Sequence, residues 1–120
     1  MNIEELRDYC LSKKGVEESF PFGPETLVFK VMDKSFLLTG LENDPLQFNV
    51  KCDPEKAIEL RERYTSVQPG YHMNKKHWNT ILADGAVTKK LLCGWIDDSY
   101  DLVVNGLTKK NKQKLSEIFK

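Results

Sequence analysis

The sequence has no surplus charge of either sign: over 120 residues, 18 Lys+Arg are matched by 18 Asp+Glu. The strong basicity that marks many nucleic-acid-binding domains is therefore missing from the molecule as a whole. Cysteine is scarce. Cys10, Cys52 and Cys93 stand far apart, are odd in number and show no CxxC or zinc-type spacing, which points to reduced, partly buried thiols rather than a disulfide framework. Apolar runs extend for only a few residues, far short of the roughly 20 that a membrane span requires. The start, Met1-Asn2-Ile3-Glu4-Glu5, is acidic and has no apolar stretch, so no signal peptide is expected and a cytoplasmic location is. Repeats, low-complexity tracts and Pro/Ser-rich linkers are missing too, so residues 1–120 are read as one domain. What is present, 40% hydrophobic and 30% charged residues, is the composition of a folded chain. At this length about two-thirds of the surface can be buried without a staple.

The element pattern is irregular but readable. Asn2 can cap a first helix, with Glu5 three residues on in a capping box, and Ile3, Leu6 and Cys10 fall at helical spacing. Gly15 is a stop signal. Phe20-Pro21-Phe22-Gly23-Pro24 cannot be helical, and its two phenylalanines are expected to plug the edge of the core. Leu27–Val31 and Ser35–Thr39 read as strands joined by the tight turn Met32-Asp33-Lys34. Leu46-Gln47-Phe48-Asn49-Val50 alternates as a third strand, with Leu46, Phe48 and Val50 on one side. Asp53-Pro54-Glu55 is a helix start, and Ala57, Leu60 and Tyr64 mark that helix's buried face. Val67–Asn74 is rich in turn residues. His77–Leu82 reads as a strand with Trp78 and Thr80 on one face and Asn79 and Ile81 on the other. Thr88 can cap the longest helix, whose stripe of Leu91, Leu92, Trp95, Ile96, Leu102 and Val103 is broken by Ser99. Asn105-Gly106 ends it. Thr108 then caps a Lys-rich helix with Leu115, Ile118 and Phe119 beneath. The order α-βββ-α-ββ-α-α predicts an α+β class. Its expected form is a single antiparallel sheet of about five strands with helices packed on one face.

The segment Pro69–Asn79 concentrates chemistry. It holds both histidines, His72 and His77, together with Tyr71, Trp78, Lys75, Lys76, Asn74 and Asn79. That density of polar and aromatic side chains suits a functional surface on a loop. The two histidines are five apart, which is not the spacing of a helical zinc motif, and no carboxylate or Cys lies close by in sequence, so no metal or other cofactor is expected. Neither a nucleophile elbow nor a phosphate-cradling glycine loop occurs, and no enzyme activity is expected. Local charge is more informative than the total. Residues 1–50 carry 5 basic and 9 acidic groups, a balance of −4, whereas residues 51–90 carry 8 and 5, a balance of +3. Residues 109–120 carry 5 Lys and 1 Glu, a balance of +4. A neutral protein can still bind phosphate where its cations share a face. Lys30, Lys34, Lys51, Lys75 and Lys76 are the expected phosphate contacts. Asn74, Asn79 and His72 are expected to hydrogen-bond backbone or base edges.

Several stretches resemble the MmcQ/YjbR family of small bacterial proteins. They are Glu18-Ser19-Phe20-Pro21-Phe22-Gly23, Val28-Phe29-Lys30-Val31, Val50-Lys51-Cys52-Asp53-Pro54-Glu55, Pro69–Asn79 and Ile96–Val103. The resemblance covers nearly the whole chain, and its Pro-Gly-Tyr-His-Met-Asn-Lys stretch is quite specific. It implies an α+β fold with an antiparallel "double wing" motif proposed to bind DNA. The fold is similar to that of the secretion chaperones, which bind proteins. It carries no catalytic residues. The resulting expectation is a monomeric or weakly dimeric, non-catalytic DNA-binding domain. Its surface would include Lys30, Lys34, Lys51, Tyr71, His72, Asn74, Lys75, Lys76, His77 and Asn79. A peptide- or protein-binding module is the alternative.

Overall fold

A computed structural model describes residues 1–70 and 73–118; the expectations for Tyr71, His72 and Phe119 lie outside the described residues. The helix starts follow the sequence signals. Asn2 accepts the Glu5 N–H at 2.8 Å while the Glu5 carboxylate accepts the Asn2 N–H, closing the capping box of α1 (Ile3–Leu11). Asp53 accepts the Lys56 N–H ahead of α2 (Pro54–Arg63), where Pro54 stands at the first position, whose N–H has no partner inside the helix. The hydroxyls of Thr88 and Thr108 do the same for α3 (Lys89–Asn105) and α4 (Lys109–Ser116).

The strands are β1 (Val16–Ser19), β2 (Thr26–Val31), β3 (Lys34–Gly40), β4 (Gln47–Lys51), β5 (Val67–Pro69) and β6 (Trp78–Leu82). Among the described residues they make one six-stranded antiparallel sheet in the order β1-β2-β3-β4-β6-β5. Four strands precede α2, one more than expected. Val-Glu-Glu-Ser in β1 is too short and too acidic to show an alternating pattern, and only its ladder with β2 makes it a strand. Likewise β5 takes three residues from the turn-rich stretch because β6 lies beside it. Both edge strands are short, which limits the unpaired backbone they offer to other chains.

Among the described residues the four helices contribute to one core on a single face of the sheet. The core gathers Leu6, Cys10, Ala57, Leu60, Trp95, Ile96 and Leu115 from the helices. Against them stand Leu27, Phe29, Val31, Leu37, Phe48, Val50, Val67 and Ile81, alternate residues that share one side of their strands. Ser99 at the centre of the α3 stripe has a structural task. The register of β2 and β3 slips so that Phe29 faces Leu37 while Lys30 faces Ser35, leaving Phe36 as an extra residue that is fully buried. The Ser99 hydroxyl donates to the Phe36 carbonyl at 2.5 Å and accepts the Lys51 N–H at 2.8 Å. The helix is thereby tied to two neighbouring strands where the ladder is irregular.

No helix among the described residues is long and apolar enough to cross a membrane.

Candidate nucleic-acid interface

Among the described residues, the opposite face of the sheet carries no helix. Strand register arranges its side chains in rows. One row runs Ser19, Val28, Leu38, Asn49, Thr80, Gln68. A second, nearer the β2–β3 turn, contains Glu17, Lys30 and Ser35, then Lys51 and Trp78. Lys30 and Lys51 therefore point to the same side, two strands apart, about 10 Å at the usual strand spacing. Lys34 is exposed at the start of β3, at the same end of the sheet. The turn that places it, Met32–Asp33, has both residues in the left-handed region, with φ of 49° and 65°, the geometry that lets a two-residue hairpin follow the strand twist.

The loop before β6 meets this end. The Cys52 N–H donates to the His77 carbonyl at 2.7 Å, and Gly70 donates to the Trp78 carbonyl at 3.0 Å. A Cβ on Gly70 would stand 2.9 Å from Trp78 Cβ and its carbonyl oxygen, so only glycine lets the chain run this close to β6. Asn74 folds the loop: its side chain accepts the Lys76 N–H at 2.9 Å, and its carbonyl accepts from His77 and Trp78. Lys75 and Lys76 are exposed, and His77 is half-buried. Tyr71 and His72 lie outside the described residues.

Asn79 departs from the expected set. It is 1% exposed and faces the helices, where its carboxamide oxygen accepts Arg61 Nε at 2.7 Å. The same guanidinium donates to the Lys75 and Trp78 carbonyls. Asn79 thus anchors the loop from beneath through Arg61 and offers nothing to a surface ligand. The side alternation expected for β6 was enough to place it there, since Asn79 shares its face with Ile81.

The five expected lysines share a second property. Arg7, Lys13, Lys56 and Lys89 are paired with Glu18, Asp97, Asp98 and Glu5. Among the described residues, Lys30, Lys34, Lys51, Lys75 and Lys76 form no ion pair. Their charge remains available to an anion.

Beside them the helix-free face sinks into a groove of about 710 Å³. Phe22 and Met73 line it, Leu38 adds apolar floor from β3, and Ser35, Gln47 and Asn49 add polar groups. Phe20 and Phe22 do not plug the core: they are 47% and 72% exposed. The two prolines and Gly23 turn the chain outward, and the core space near β2 is already filled by Leu27, Phe29 and Val31. The groove was the least legible part of the site in sequence. Its one signal was the alternation in β4, which puts Gln47 and Asn49 on the side opposite Phe48.

The YjbR family model matches residues 11–102, and the chain belongs to that family. It is 41% identical to YbdF of Escherichia coli O157:H7, covering 93% of this chain and 92% of that one. It is also 34% identical to YjbR of Escherichia coli K12, covering 98% and 100%. The fold is shared with the Deinococcus radiodurans protein DR2400, of family DUF419, at a TM-score of 0.89 and 43% identity over 96% of this chain and 88% of that one. A Pseudomonas syringae crystal structure matches at a TM-score of 0.73 and 30% identity over 85% and 98%.

Proposed function

We propose that this YjbR-family domain is a non-catalytic DNA-binding protein that uses the helix-free face of its sheet. The observation that carries the reading is the group of unpaired lysines, Lys30, Lys34, Lys51, Lys75 and Lys76, at the β2–β3-turn end of that sheet. Phosphates are the natural counter-charge for such a group. Lys30 and Lys51 supply two contacts on the face itself, and Lys75 and Lys76 flank it from a loop held by Arg61 and Asn79. Because the net charge is zero, attraction over distance is weak and binding depends on local contact.

The test is a titration against duplex DNA at several salt concentrations. Three to five phosphate contacts give a slope of log affinity against log salt of roughly −3 to −4.5. Replacing Lys30 and Lys51 together with Ala reduces the slope by about 1.8, and so does replacing Lys75 and Lys76. A flat salt response overturns the reading. A second reading, a protein-binding module, draws on exposed Phe20, Phe22 and Leu41. It is favoured if a partner protein is bound stoichiometrically after nuclease treatment and DNA is not bound at all.

A further inference from the structure

The groove on the helix-free face is built unlike the lysine cluster next to it. Among the described residues no charged side chain lines it. Its volume of about 710 Å³ lies within the range of small-molecule sites. Its polar groups have hydrogen-bonding capacity to spare. Among the described residues, the side chains of Ser35 and Gln47 have no hydrogen-bond partner. Asn49 uses its carboxamide oxygen to accept the Thr80 hydroxyl at 2.6 Å, leaving its NH₂ unengaged. Amides beside an apolar floor residue, in a groove also lined by Phe22, which is 72% exposed, suit a flat, neutral ligand with donors and acceptors on its edge. Lys30 and Lys51 occupy the neighbouring row of the same face, so an anionic chain can run along the rim while a neutral ring enters the groove.

Resting on the reading of this face as a DNA surface, we propose that the groove receives an unpaired base of a single strand. Phe22 supplies the stacking surface, and Gln47 and Asn49 meet the base edge. A base in duplex DNA is already stacked and paired, and entering the groove would require it to be flipped out at a cost. A single strand presents its bases freely, and stacking on an aromatic ring is available to every base type. The strand preferred by the protein is therefore single.

The experiment compares three fluorescent 12-mers by anisotropy at fixed salt: a mixed-sequence single strand, its duplex, and an abasic strand with the same phosphates. The base-bearing single strand should bind roughly 5- to 150-fold more tightly than the abasic strand, the contribution of one stacked base, and more tightly than the duplex. Phe22→Ala should bring it down to the abasic level while leaving the abasic affinity and the salt slope unchanged. Because Phe22 is largely exposed, this truncation leaves the core intact. Asn49→Asp, which puts a carboxylate in the groove, should weaken the base-bearing strand by a similar factor. Equal binding of base-bearing and abasic strands, or no effect of Phe22→Ala, overturns the base site while leaving the phosphate surface standing. No binding of any of the three overturns the surface reading and the base site with it.

Discussion

At the scale of single residues, Ser99 and Asn79 show how polar side chains inside the fold are used. Ser99 is fully buried, and its hydroxyl satisfies both the Phe36 carbonyl and the Lys51 N–H. Ser99→Ala should leave both without a partner and cost about 2–4 kcal/mol, measured by urea unfolding with an unchanged m-value. In sequence Ser99 was visible only as a break in an apolar stripe; which groups it serves depended on a strand bulge 63 residues away. Cys10 follows the opposite logic. Burial pushes its thiol up to about 12, whereas Cys93 is only half-buried. A thiol reagent at pH 8 should therefore modify Cys93 well before Cys10, with Cys10 reacting at the rate of unfolding.

At the scale of elements, the caps were fully legible because a cap is a local arrangement of two or three residues. Asn2, Asp53, Thr88 and Thr108 each begin the helix that the sequence assigns to them. The β2–β3 turn was legible as a turn, but its residues are unusual for its geometry. Met32 and Asp33 both hold positive φ without the Asn-Gly that such hairpins favour. Left-handed backbone costs a side-chain-bearing residue roughly 1–2 kcal/mol. The double substitution Met32→Asn, Asp33→Gly should thus stabilise the protein by about 1–2 kcal/mol, read as a rise in Tm. Because Met32 packs partly against the core, its lost burial makes the lower end of that range the expected result.

Across the whole molecule, charge governs the pH response. Lys89 beside Glu5 and Arg7 beside Glu18 hold these carboxyls below the usual 4.5, and the Ala86 N–H with Ser66 holds Asp84 below 3.8. A carboxyl lowered by folding contributes stability that is complete above its unfolded value and is lost as pH falls through the folded one. Tm should therefore begin to drop near pH 4.5 and continue below it. Cys10 works at the other end. Its folded value is raised from 9.0 by burial, so its contribution is complete below pH 9 and is lost as pH climbs toward 12. A Tm profile from pH 3 to 11 should be flat between 5 and 8 and fall on both sides. A steady rise through that middle range would contradict this assignment. The neutral total charge conceals an uneven distribution: Lys30 and Lys34 come from the acidic first half, yet the sheet sets them at the same end as Lys51 and the start of β6, which the loop of Lys75 and Lys76 enters.

By itself the sequence determined the features written in neighbouring residues: helix starts, the hairpin turn, strand alternation and the family. The first three are set by hydrogen bonds or side-chain periodicity within a few positions, and the family by motifs spread along the chain. Tertiary structure decided what depends on pairing between distant segments. It recruited Val16–Ser19 and Val67–Pro69 as edge strands, sent Asn79 inward to Arg61, turned Phe20 and Phe22 outward, and left one sheet face without helices. Register across the sheet, a long-range property, assembled Lys30, Lys51 and the groove on that single face.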